Sequence, residues 1–437
     1  MVPSSFSTWW RALSGRASRA FLVATSVMVM PACYDQVLIP AFETDGRLNM
    51  SNDEEALNDR VGHPDEDVPI APTSPAAAGL AAVGPARAPS SIQLTLVGEI
   101  APPTVNGQVV QATSVWATRN DKAIVSYNVR GSSAVGALDF FTRLTNRRPR
   151  LRSSVTFTDA DANAVFTDGN RAYSATASTD ASFAWPAVME RIRIRNDRFR
   201  VDPGNMRLPL TSFAATSAMA TDNAVYVTSG DGGGVFAFDV GDMSLLGEFA
   251  LDDARWVAWD EDNRRVVVLQ GTPGRLTVFA EDAFPMIPLA TFLVPGVDVP
   301  ESKSTVEVAG GKAFVAAGPE GVQVVCLDNG QVVGSVPRPD PGSLGLDPSV
   351  VVTNAVTVDD DVMFISNGEA GVYAAAVSVG RASFPLNVTI LRSTDSTAVP
   401  RRTETPRPAR RSPAYRASFG GMPPRRVPDA STSSILT

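Results

Sequence analysis

The sequence predicts an all-β chain folded as a β-propeller. Three observations carry this: a strand-turn-strand unit that keeps returning, a return distance of roughly 40 to 55 residues, which is one blade, and a lone strand copy ahead of the first unit. Each unit opens with a short apolar strand, turns at Asp, Asn or Gly, and continues into an apolar strand ending near a glycine. That second strand reads Ala224-Val225-Tyr226-Val227-Thr228-Ser229-Gly230, Val266-Val267-Val268-Leu269-Gln270-Gly271, Ala313-Phe314-Val315-Ala316-Ala317-Gly318 and Val362-Met363-Phe364-Ile365-Ser366-Asn367-Gly368. Weaker copies lie around Ile124 and Tyr173, so Ile124, Tyr173, Tyr226, Val267, Phe314 and Phe364 are expected to be equivalent.

Third strands follow in the same register as Gly234–Asp239, Gly274–Phe279, Gly321–Val325 and Gly371–Ala374, and fourth strands as Leu245–Phe249 and Val332–Val336. Alternation of apolar and polar residues with high β-branched content is the signature of a strand. Six four-stranded blades are visible across residues 92–378, with seven as the alternative. The segment Leu94 to Ile100 contains Leu96-Val97-Gly98-Glu99-Ile100, a fourth-strand copy with no first three strands before it. It is expected to complete the last blade, closing the ring and removing an exposed edge.

The stretch Ala313–Leu327, then Asn223–Asp239 and Val362–Val377, resembles the LVIVD-repeat type of bacterial surface β-propeller, where an aromatic-Val-Ala strand and a Gly pair lead into a Val-rich strand. The matching residues are structural. The resemblance therefore implies the fold and a cell-surface setting and names no ligand.

Ahead of the repeats, Arg11, Arg16 and Arg19 precede the apolar run Ala20–Met30, which ends in Met30-Pro31-Ala32-Cys33. A basic region, an apolar run too short to span a membrane and a small residue before the cut make residues 1–33 a secretory signal. With Cys33 following Ala32 the segment resembles a bacterial lipobox, which implies acylation of Cys33, export, and a membrane-anchored place at the bacterial cell envelope, with the outer membrane favoured by Tyr34 at the next position. Residues 34–91 read as a disordered tether, acidic from Asp53 to Asp67 and then Pro- and Ala-rich, with too little apolar surface to offset its ordering entropy. After Ser378 the pattern gives way to an Arg- and Pro-rich tail, 379–437, expected to be disordered, in which only Leu386–Leu391 could form a strand. A basic arm, a solvated tail without a role and a reading-frame change all fit the tail's composition.

The formal charge of −8 is unevenly spread, acids before about residue 70 and arginines after about 380. Apolar residues make up 44% of the chain and aromatics 7%, enough for a core of Val, Ala and Leu rather than of large rings. The two cysteines, Cys33 and Cys326, are too differently placed to pair, and Cys326, in Val324-Val325-Cys326-Leu327, reads as a buried thiol. The one histidine, His63, lies ahead of the repeats. That removes Ser-His-Asp and Cys-His catalysis and His-ligated zinc from the propeller. Gly230-Asp231-Gly232-Gly233-Gly234 lies between two strands and reads as a hairpin turn. Asp159-Ala160-Asp161-Ala162-Asn163 has alternating oxygens but lacks the glycine and glutamate of a calcium loop.

No cofactor is implied. The leading reading is a non-catalytic lipoprotein whose propeller binds an envelope protein or a glycan, the membrane being reached through the lipid; nucleic acid is not an expected partner. The alternative is a propeller hydrolase, glycosidase-like, working through paired carboxylates; Trp116, Trp185, Trp256 and Trp259 could floor a sugar site, although Trp256 and Trp259, in or beside an expected first strand, read as core. Acids gathered at one mouth of the central channel would favour hydrolysis, and an aromatic or apolar patch on one face would favour binding.

Overall fold

The structure, a computed structural model, describes residues 42–377, apart from 45, 69, 73–93, 119, 130, 132–133, 147, 300–301 and 360–361, and residues 390–393. The signal segment with Cys33, and the tail except Ile390–Ser393, lie outside the described residues. Six antiparallel sheets follow one another as blades. Blade 1 runs through Gln111–Thr118, Lys122–Asn128, Gly136–Thr142 and Arg150–Phe157. Blade 2 runs through Ala160–Thr167, Arg171–Ser178 and Ala187–Ile194, the last pairing with both Phe199–Arg200 and Met206–Pro209. Blade 3 holds Ala215–Ala220, Ala224–Ser229, Gly234–Asp239 and Leu245–Ala250, and blade 4 holds Ala254–Asp260, Arg265–Gln270, Arg275–Ala280 and Pro288–Leu293. Blade 5 holds Val306–Ala309, Lys312–Ala316, Val322–Cys326 and Val332–Val336, and blade 6 Ala355–Asp359, Val362–Ser366, Val372–Ala376 and Ile390–Ser393.

The repeat read from the sequence is the repeat of the fold. Ile124, Tyr173, Tyr226, Val267, Phe314 and Phe364 stand opposite Trp116, Phe166, Met219, Ala258, Glu307 and Thr357 on the six first strands. Alternate residues of a strand face opposite neighbours, so each blade buries one row against the blade before it and one against the blade after. Apolar clusters fill the joints from blade 1 through blade 6 in turn.

The joint between blades 6 and 1 is different. The first-strand residue facing the preceding blade is buried as Val165, Ala218, Val257, Val306 and Val356, but Val115 in blade 1 is 56% exposed. Phe364 is likewise only half-buried while its five equivalents are buried. This seam is spanned on the outside instead, by the chain ahead of the blades. Leu48–Ser51 pairs with the outer strand of blade 1 and Phe42–Thr44 with it in turn; Ile70–Pro72 pairs with the outer strand of blade 6.

Two expectations are corrected here. Leu94–Ile100 does not complete the last blade: Leu94–Leu96 pairs with Glu66–Val68, and Glu99–Ile100 with Val61–Gly62. The fourth place in blade 6 is already taken by Ile390–Ser393. Nor is the acidic stretch within 34–91 a free tether. Asp53 caps a helical turn, Glu54–Asn58, by accepting from the amides of Glu55 and Ala56, as an N-cap carboxylate does. Leu57 is buried, and Asn58 exchanges hydrogen bonds with both the carbonyl and the amide of Leu151 (3.0 and 3.2 Å).

Charge explains the order of this belt. Arg60 forks onto Asp139, a fully buried carboxylate of blade 1, at 2.5 and 3.3 Å, and Arg47 reaches the fully buried Glu190 of blade 2 at 2.7 Å. Arg207 holds the other oxygen of Glu190, and Glu54 takes Arg152 and Arg198. A buried charge left unpaired is costly, so these partners hold the belt where its apolar content could not.

Candidate functional site

In an antiparallel blade the first strand begins on the same face where the second strand turns into the third, here called the upper face. In blades 1 to 4 the first strand begins with a β-bulge, at Thr113, Asn163, Thr216 and Arg255. A bulge re-aims its side chain, and here each one reaches the next blade. Thr113 Oγ1 donates to the Ala162 carbonyl (2.6 Å), Asn163 Nδ2 to Ala215 (2.9 Å) and Thr216 Oγ1 to Ala254 (2.7 Å). Arg255, paired with Asp253, donates to the carbonyls of Val297, Val299 and Ser302 on the way into blade 5. Ser302 Oγ then donates to Thr353 at blade 6 (3.1 Å).

Lys303 crosses this ring. Its Nζ donates to the carbonyls of Thr113 (2.8 Å) and Asn163 (2.9 Å), joining the entry to blade 5 with blades 1 and 2, and it lies 5.1 Å from the Trp256 ring centre. Desolvation pushes its amine down to about 7, whereas the two carbonyls and the indole face favour the ammonium form. With its donors committed to carbonyls, Lys303 acts as a clasp. The sequence carried a signal for it: a lysine where the aligned position is Ala112, Ala162, Ala215 or Ala254.

Asp139, Glu190, Asp159, Asp253 and Asp260 are each ion-paired with arginine, and Asp252 accepts from the Gly232 amide. Burial, then repulsion from Asp253 and Asp252, raises the Asp231 carboxyl. Desolvation by burial pushes the Glu307 carboxyl up to about 7. Among the described residues no group of three or more His, Cys, Asp or Glu could hold a metal ion.

The candidate positions from the sequence distribute as follows. Gly230–Gly234 makes the upper turn of blade 3, with Gly232 at φ +66°. Asp159 pairs with Arg207, and Asn163 joins the ring. Trp116 packs on Phe166 across the joint of blades 1 and 2, and Trp259 donates to Glu281 (2.7 Å). Cys326 is half-buried rather than fully buried, on a third strand beside the open outer edge of blade 5.

Trp185 stands apart. It lies in the upper loop of blade 2, 44% exposed, edge-to-face with Phe213, 46% exposed, in the loop entering blade 3 (5.7 Å between centres, 88°). Ser212, beside Phe213, has φ +121°, outside the favoured range of an L-residue. It is held there because its hydroxyl donates to Asp231 (2.8 Å) and its carbonyl accepts from the Ala187 amide (3.1 Å). Strain kept in place by its surroundings is a mark of a functional position. Phe213 was not singled out in the sequence, because its partner lies in another loop and no periodic pattern links them.

No family model matches the chain, and no curated protein matches it. Among solved structures it is similar to a protein from Bacteroides uniformis named as a candidate 6-phosphogluconolactonase (12% identity, 61% of this chain and 81% of that one, TM-score 0.48). A second, from Bacteroides fragilis and named likewise, aligns at 11% identity over 63% and 82% with a TM-score of 0.45. A protein of unknown function from Desulfotomaculum acetoxidans aligns at 12% over 63% and 85%, TM-score 0.44. No helix among the described residues is long and apolar enough to cross a membrane.

Proposed function

We propose that the chain is a non-catalytic binding protein of the bacterial cell envelope, engaging a protein or glycan partner through the upper face at Trp185 and Phe213. The observation that carries this reading is the half-exposed aromatic pair held beside a strained Ser212. Two rigid rings side by side offer large contact area at small entropic cost, the property that enriches aromatics at recognition sites. Export and a lipid on Cys33 belong to the same proposal and rest on the Met30-Pro31-Ala32-Cys33 segment.

The test is crosslinking capture from intact cells with the full chain and with Trp185→Ala/Phe213→Ala, alongside binding to envelope glycan fractions. Loss of a captured protein, or of glycan retention, in the double variant is expected. Undiminished capture and retention would refute the assignment of this face. Acyl-analogue labelling that is equal in wild type and Cys33→Ala would refute the anchor.

A further inference from the structure

We propose that the chain self-associates through the outer strand of blade 4, two copies pairing antiparallel about a two-fold axis at Thr291. The outer strands of blades 1 and 6 are covered by the chain's own Leu48–Ser51 and Ile70–Pro72. Those of blades 2, 3, 4 and 5 end their sheets with no further strand among the described residues. An uncovered edge offers free backbone donors and acceptors to any added strand.

Blade 4 is singled out by its side chains. Along Pro288–Leu293 exposure alternates, with Leu289, Thr291 and Leu293 outward. Leu293, Ile287 and Leu289, at 70, 68 and 61%, are the three most exposed large apolar side chains among the described residues. The opposite row is committed: Phe292 lies where a Cβ on Gly330 of blade 5 would stand. The neighbouring outer strand Leu245–Ala250 carries the exposed Glu248, a charge of the kind that blocks edge pairing. From Ala283 to Val297 there is no charged residue, and Asp282 and Asp298 stand outside the strand.

The absence of charge and the symmetry of the row select the occupant. A charged partner would find nothing complementary, whereas a second copy meets no repulsion. Antiparallel pairing centred on Thr291 sets Leu289 opposite Leu293 of the second copy and Thr291 opposite its own counterpart, both favourable cross-strand pairs. Pro288 and Pro295, lacking amide hydrogens, bound the ladder to the residues between them.

Sedimentation velocity of the full chain over a wide concentration range tests this. Wild type is expected to form a dimer, and Thr291→Lys, which places like charges face to face, to be monomeric with the melting temperature of wild type diluted to monomer. In a chain whose Cys33 and Cys326 are serine, Thr291→Cys is expected to oxidise to a covalent dimer and Leu289→Cys is not. A wild type that stays monomeric, or a dimer that Thr291→Lys leaves intact, overturns the proposal. A monomer that loses a captured protein through Thr291→Lys assigns the edge to a foreign strand and overturns it too. Trp185→Ala/Phe213→Ala should leave the dimer untouched, which separates this surface from the upper face.

Discussion

Arg60→Ala removes the cation that pairs with Asp139, and the structure sets the size of the effect. Asp139 has no solvent contact and Arg60 is one-fifth exposed, so the pair cannot be replaced by hydration without opening blade 1. Unit charges at this range attract by about 4 kcal/mol at an effective dielectric of 20, and removing one side of a buried pair costs about 3–5 kcal/mol. The Arg60 Nε bond to the Ala101 carbonyl (3.0 Å) is lost as well. We expect Arg60→Ala to lower the urea unfolding free energy by about 3–5 kcal/mol, with little relief from added salt because the acid is buried. Lys122→Ala, which breaks a pair with Asp197 exposed by a third on each side, should cost under about 1 kcal/mol. The double variant Arg60→Ala/Asp139→Ala should recover part of the loss, since it leaves no buried charge unpaired. A loss below about 1 kcal/mol for Arg60→Ala, or additive costs in the double variant, would refute the argument that ion pairing holds the belt.

Thr216→Val keeps the shape of the side chain but removes its donor to Ala254, and should cost about 1–2 kcal/mol in the same urea measurement. Glu307 has its folded-state value raised to about 7 from an ordinary 4.5. Between those values the folded protein keeps a proton that the unfolded chain has released, so stability falls as pH rises through the window and is level above it. Glu307→Gln should abolish that fall, raising stability above the window by at most about 3 kcal/mol and less where water reaches the group, with no change below it; parallel pH profiles for variant and wild type would contradict this. Hydrogen exchange should be faster in Val362–Ser366, beside the unsealed joint, than in the equivalent Ala224–Ser229, whose residues are buried on both sides. Equal protection would mean that the joint is sealed in solution.

The blades were legible because each repeats a local pattern: Ile124, Tyr173 and their four equivalents share one register, and the turns between strands use the Asp, Asn and Gly that turns require. The belt was not legible. Asp53, Glu54 and Asp59 sit in a stretch with the composition of a solvated coil, and what orders residues 47–60 are arginine-carboxylate pairs spanning 79 to 144 residues. The ring at the axis was half-written in the sequence, since Ala112-Thr113, Ala162-Asn163, Ala215-Thr216 and Ala254-Arg255 repeat an alanine followed by a long or branched polar residue. Its meaning needed the bulge, which depends on pairing with the second strand. The pairing of Trp185 with Phe213 lies wholly in the meeting of two loops.

The belt also imposes an order on synthesis. Arg47 and Arg60 leave the ribosome long before the carboxylates they neutralise, Glu190 lying 143 residues later and Asp139 79 residues later. At about 5–20 residues per second that is a wait of several seconds to about half a minute. Through that interval Arg47 and Arg60 have only water to satisfy them, and they take their native places only once blades 1 and 2 have emerged. The two ends of the ring are therefore joined only after blade 6 has been completed, when Ile70–Pro72 finds its strand.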